Sequence, residues 1–173
     1  MLFRSGATIV NDVSGARDPA MFDTVRDHDA SMVLMHMQGD PRAMQDAPFY
    51  EEVVTEVKEY LRERVEAAEF AGVDPERIVV DPGIGFGKDL EHNLRLLHDI
   101  DALLDLGRPV LVGPSRKRFI GTVLDLPENQ RVEGTAAAVA WAVARGVHAV
   151  RVHDVREIAR VVRMIDAIAK AGA

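Results

Sequence analysis

Five short apolar runs, each followed by an amphipathic stretch, constrain this chain more than any other feature. The runs are 7–10, 31–35, 78–80, 109–112 and 149–152. They are near-continuous hydrophobic segments, the pattern of strands buried on both faces of a parallel sheet. The stretches between and after them, 19–28, 50–71, 90–104, 133–145 and 155–171, carry helical periodicity. In the last of these, Ile158, Val161, Val162, Ile165 and Ile168 recur at three- and four-residue steps. Strand–helix repetition of this kind gives an α/β fold with a parallel sheet. No linker or low-complexity segment interrupts it, so residues 1–173 are expected to form one domain. A closed (β/α) barrel needs eight such units, and here there are five. Composition and periodicity leave two arrangements open: an open doubly wound sheet, or the C-terminal five-eighths of a barrel.

The ends of the runs carry the chemistry. Run 109–112 breaks into Gly113-Pro114-Ser115-Arg116-Lys117-Arg118, which delivers three cations to one point. Run 149–152 ends in Arg151-Val152-His153, and run 78–80 ends in Asp81-Pro82-Gly83. Polar groups at the C-terminal ends of successive parallel strands are how such folds build a site. Arg offers a planar fork to phosphate or carboxylate, and Lys a compact charge. Arg151 alternates with Val150 and Val152, so it is expected to point into the cleft. His28, His92, His98 and His148 fall in helices or loops and read as surface residues.

The rest of the chain restricts the ligand. Net charge is −7, so a nucleic-acid partner has no global electrostatic support. Local cations on an acidic background suit a small anion. There is no cysteine, which excludes disulfides, thiolate metal sites and thiol nucleophiles. No apolar run reaches the ~20 residues of a membrane span, and residues 1–6 are too short for a signal peptide. A cytoplasmic location is expected.

Several segments also have structural readings. Asn11-Asp12-Val13-Ser14-Gly15 reads as an Asx turn or as a strand-end amide that binds ligand. His36, in Met35-His36-Met37, reads as a satisfied strand-end histidine, and the methionines around it as core filler. Asp81-Pro82-Gly83-Ile84-Gly85-Phe86-Gly87-Lys88 looks like a phosphate loop but fails the tests. Asp89, not Ser or Thr, follows Gly-Lys, and the glycines run G-x-G-x-G. They suit backbone approach to a flat ligand, with Phe86 as a wall. Asp81 is either a helix cap or a carboxylate that binds ligand, because a buried carboxylate is costly without a partner.

In order, Asn11-Asp-Val-Ser-Gly, Leu34-Met-His-Met-Gln-Gly39, Asp81-Pro-Gly-Ile-Gly-Phe-Gly-Lys88, Ser115-Arg-Lys and Arg151-Val-His-Asp154 resemble the dihydropteroate synthase family of pterin-binding barrels. The resemblance covers essentially the whole chain. It implies an eight-stranded TIM-type barrel of which this chain holds the last five units. The implied reaction joins 4-aminobenzoate to 6-hydroxymethyl-7,8-dihydropterin diphosphate, giving 7,8-dihydropteroate and diphosphate. By resemblance, Asp81 and Asn11 bind the pterin, with Met35, Gly85 and Phe86 around it. Lys117 reaches the pterin and the site of bond formation. Arg151 and His153 hold the diphosphate, and Ser115 and Arg116 shape the aminobenzoate loop. The resemblance also implies magnesium, held by residues of the first three strands that this chain lacks, and self-association. Arg118 stands where many members have serine, which departs from the pattern. Two other readings are a catalytically incompetent half-barrel that binds pterin or self-associates, and a pterin-dependent methyltransferase barrel. The cationic clusters favour a diphosphate over the latter.

Overall fold

The computed structural model describes residues 3–39 and 48–172. Among these, five strands run in parallel: β1 (Ile9–Asp12), β2 (Ser31–Met35), β3 (Ile78–Asp81), β4 (Leu111–Val112) and β5 (Ala149–Val150). β1, β2 and β3 form one ladder, and β4 pairs with β5. A bridge between Val80 and Val110 joins the two, so spatial order follows chain order. The register puts Asn11 beside Val33 and Met35 beside Asp81. Polar groups from separate units therefore emerge at one edge.

The α-helices of the described residues are α1 (Ala20–Asp27), α2 (Val53–Phe70), α3 (Leu90–His98), α4 (Arg118–Leu124), α5 (Val132–Ala144) and α6 (Val155–Ala171). The core lies between them and the sheet. Met32, Leu34, Ile78, Val80, Val110 and Val112 from the strands meet Leu61, Leu96 and Ile100 from the helical layer, all fully buried. Burial on this scale supplies the dominant favourable term in folding.

Three elements depart from the expected boundaries. The first strand begins at Ile9 and includes Asn11 and Asp12, two residues later than the apolar run suggests. Backbone pairing with β2 carries it through those polar residues. The expected helix 90–104 ends at His98, and Ile100–Leu106 continues as a 3-10 helix. Asp99 turns back onto Arg95 Nε at 2.7 Å and His98 Nδ1 at 2.6 Å. Asp99, Asp101 and Asp105 also put negative charge at the C-terminal end, where the helix dipole opposes it. Finally, α4 has no counterpart among the expected helices. It is seven residues long and contains Gly121, Thr122 and Val123, all weak helix formers.

Candidate active site

Asp81 is the centre of the site. It ends β3 and is only 1% exposed. Its carboxylate accepts the Gly83 backbone N–H at 2.7 Å. Burial raises its pKa, against the pull of that hydrogen bond and of Lys117, Arg151 and Lys88. The helix-cap reading does not hold, because Asp89 caps α3 by accepting the His92 N–H at 2.9 Å.

The loop after Asp81 needs its glycines. Gly83 has φ +68°, and a side-chain carbon there would run into the His36 carbonyl oxygen. Gly85 has φ +80°, and a side-chain carbon there would lie 2.6 Å from Lys117 Cδ. The left-handed backbone and the close approach of β2 and Lys117 both require glycine. Asn93 on α3 clamps the loop, accepting the Gly85 N–H at 2.6 Å and donating to the Lys88 carbonyl at 3.2 Å.

Lys117 precedes α4. Its ammonium donates to the Ile84 carbonyl and sits 4.1 Å from the centroid of the Phe86 ring. Burial pushes its pKa down to about 8, against Asp81 and aided by Arg151. Gly85, Phe86, Lys117, Arg118 and Thr122 line a cleft of about 450 Å³. Met35 is fully buried beneath, with Cγ 3.4 Å from where a Gly83 side chain would start.

The β5 end supplies Arg151 and His153, both exposed. The Arg151 N–H donates to the Val112 carbonyl at 2.9 Å, continuing the β4–β5 pairing past β5. Its guanidinium lies across Gly113, with Nη2 3.4 Å from where a side chain there would begin. His153 Nδ1 is 2.9 Å from Ser115 Oγ, and its backbone N–H donates to the same oxygen at 3.1 Å. Ser115, expected in the aminobenzoate loop, is thus bound to the end of β5. Arg116 sits at φ +57° with its fork on Asp154, at 2.9 and 2.5 Å. Asn11 is exposed on β1. Its neighbour Asp12 makes the Asx turn, accepting from Ser14 N at 2.8 Å and Ala16 N at 3.1 Å.

Sequence reasoning passed over Lys88, which is 2% exposed and lies behind the loop. It was visible only as the last letter of a failed phosphate-loop pattern. His36 is a satisfied strand-end histidine: its Nδ1 is 2.9 Å from Lys88 Nζ. Burial first, then Lys88, drives the His36 pKa down to about 3, so a neutral ring accepts from the ammonium. Of the histidines read as surface residues, His28, His98 and His148 are exposed, while His92 is half-buried.

Residues 2–153 match the family described as pterin binding enzyme. The chain belongs to that family. It is 43% identical over 167 residues to a dihydropteroate synthase of Synechocystis sp., covering 95% of this chain and 58% of the relative. It superimposes on a Yersinia pestis dihydropteroate synthase solved with a sulfonamide drug complex. There the TM-score is 0.95 at 34% identity, covering 98% of this chain and 62% of the other. A Thermus thermophilus dihydropteroate synthase, solved in complex with 6HMPPP, gives 0.91 at 45% identity, covering 95% and 66%. The chain thus spans less than two thirds of the length of these proteins. As a pterin-binding family member, it places Asp81, the glycine loop and Lys117 at the C-terminal strand ends where α/β folds bind ligands.

Among the described residues no group of three or more His, Asp or Glu side chains is arranged to hold a metal ion. No helix among them is long and apolar enough to cross a membrane.

Proposed function

We propose that this chain is the C-terminal part of a dihydropteroate synthase, five of the eight units of its barrel. Its substrates would be a pterin diphosphate and 4-aminobenzoate, with neither nucleic acid nor membrane as partner, acting in the cytoplasm. It would self-associate, since strand edges without partners are templates for pairing with another copy. One observation carries the reading: Asp81 is a buried carboxylate behind a glycine loop, with Lys117 and Arg151 close enough to act on its charge.

A buried carboxylate suits the paired N–H donors of a pterin edge. Asn11, from a neighbouring strand, would bind the same ring, with Met35, Gly85 and Phe86 around it. The aniline nitrogen attacks the exocyclic methylene, the carbon–oxygen bond to diphosphate breaks, and the nitrogen loses a proton. Negative charge grows on the leaving oxygens. Fixed cations near them stabilise that charge, the role assigned to Arg151, His153 and Lys117. Aniline is already a nucleophile, so no side-chain nucleophile is needed. Ser115 and Arg116 would act indirectly, by fixing the loop that carries Lys117. Calorimetry with 6-hydroxymethylpterin tests the reading. Saturable binding that Asp81→Asn weakens supports it; no binding at any accessible concentration overturns it.

A further inference from the structure

Lys88 is the most deeply buried charged side chain outside the roles above. Its ammonium donates to the Gly83 carbonyl at 3.2 Å and to the Phe86 carbonyl at 3.0 Å, and lies 2.9 Å from His36 Nδ1. The first two partners are the two ends of the turn that passes beside Asp81. The third sits just beyond β2. The Tyr50 ring, 5.9 Å away, forms one wall, and the Tyr50 hydroxyl donates to the Gly87 carbonyl at 2.8 Å. Three acceptors take the three protons of one ammonium, so Lys88 has none left for a ligand.

A lone buried ammonium is costly, and an apolar side chain would fill the same space without that cost. What the charge supplies has to be sought in its neighbours. Asp81 interacts with three cations: Lys117, Arg151 and Lys88. Lys117 lines the cleft and Arg151 is exposed, so both stand on the ligand side. A bound anion would engage their charge. Lys88 also borders that cleft, but it is only 2% exposed and its ammonium is turned onto three protein acceptors, so of the three it is the one the protein holds.

We propose that Lys88 is a positioning residue for pterin recognition: it fixes the Gly83–Phe86 turn and gives Asp81 a countercharge that no ligand can draw away. The inference rests on the reading of Asp81 as the pterin contact. It deepens that reading by making recognition depend on a side chain that never touches the pterin.

The arrangement is sensitive to pH. Burial brings Lys88 down to about 7, opposed by Asp81 and aided by Lys117. Of its other titratable neighbours, Lys117 alone titrates close to it. His36 is held near 3, Lys117 near 8, and burial raises the Tyr50 phenol. Losing the Lys88 proton removes one countercharge from Asp81 and weakens the grip on the turn.

Carbon NMR of the ligand-free 173-residue chain tests this directly. The Lys88 ε-carbon should titrate at about pH 7, and the Asp81 carboxyl signal should move in the same step, in the native chain and in Lys117→Met alike. A Lys88 that titrates near the ordinary lysine value of ~10.4, or an Asp81 signal that ignores its step, overturns the proposal. Lys88→Met supplies a second readout. At about pH 6, pterin should bind this variant roughly tenfold to hundredfold more weakly than the native chain, the effect of losing a hydrogen bond to a charged group. The gap should narrow by about pH 9, where native Lys88 is neutral. A gap of constant size would mean Lys88 only fills space. If the variant does not fold, the titration of the native chain still decides. If the native chain binds no pterin, the assignment of Asp81 to pterin fails, and the shared titration step decides Lys88 on its own.

Discussion

The Arg116 guanidinium grips the Asp154 carboxylate through two bonds, Nε at 2.9 Å and Nη2 at 2.5 Å. Next to it, Ser115 Oγ meets both Nδ1 and the backbone N–H of His153. Two consecutive residues after β4 thus bind two consecutive residues after β5. The adjacent Lys117 is carried on this doubly tied loop. Arg116 holds a left-handed backbone, φ +57°, that a non-glycine residue adopts at a cost. The Arg131 side chain also secures it, donating to the Arg116 carbonyl at 2.9 Å. Asp154→Asn should therefore lower the melting temperature and weaken pterin binding, although residue 154 itself touches no ligand. Unchanged values of both would show that the fork is a surface ornament.

Asp81 should dominate pterin affinity. Asp81→Asn keeps the shape but replaces an acceptor with a donor. That leaves a mismatched pair in a site where the native side chain is 1% exposed. The expected loss is about 2 to 4 kcal/mol, as for breaking a buried charged hydrogen bond. Calorimetry showing less than a threefold change in affinity would contradict this.

Acid should destabilise the chain through His36. Its folded pKa is about 3 against an ordinary 6.5, so between those values the unfolded chain binds a proton that the folded chain refuses. Stability then rises with pH across that window and is lost as pH falls, by up to about 1.4 kcal/mol per unit. Asp81 works in the opposite sense. Its raised pKa stabilises the fold in acid, and that contribution fades as pH rises through the folded value. His36→Asn keeps a polar group at the site but removes the titration. Its thermal stability should fall less steeply from about pH 6 to pH 4 than that of the native chain. Parallel curves would mean that His36 is not held neutral.

The fold was legible because strand and helix periods depend on local pattern, and each of the five strands overlaps one of the five apolar runs. Asp81 and His36 were legible too, since strand-end polar residues in a buried sheet have few places to go. Lys88 was not. Its burial depends on His36, Gly83 and Phe86 closing around it, contacts made across 52 residues of chain in the case of His36. The partner of Arg116 was hidden for the same reason. The resemblance puts Arg116 in the aminobenzoate loop, but the carboxylate that takes its fork, Asp154, arrives from the next strand–helix unit.

On its own the 173-residue chain should show at most trace synthase activity. Its five strands leave β1 and β5 without further partners among the described residues, so the sheet is open at both edges. Water can then reach the cations that would stabilise the leaving diphosphate, which weakens their effect. A diphosphate-release assay with both substrates and magnesium checks this. Turnover near the ~10 per second typical of enzymes would sink the prediction.

Diphosphate should bind through Arg151, His153 and Lys117 together. Arg151 Nη2 lies against Gly113, the residue directly after Val112 at the end of β4, and Ser115 orients the His153 ring from the same loop. The charge of Arg151 acts on both Asp81 and Lys117, which puts these two cations around one carboxylate, while His153 is held by Ser115 from the loop that carries Lys117. Arg151→Lys keeps the charge but loses the fork, and should bind diphosphate more weakly than native. Lys117→Met should weaken it further at neutral pH, and less above about pH 8, where native Lys117 gives up its proton. Because Arg151 is exposed, salt should screen its share of the attraction strongly. Phosphorus NMR titrations at low and high salt separate these effects. A crystal grown with phosphate should place the anion within hydrogen-bond reach of Arg151 and His153. An anion found elsewhere, or equal affinity in native chain and both variants, would show that these cations do not form one site.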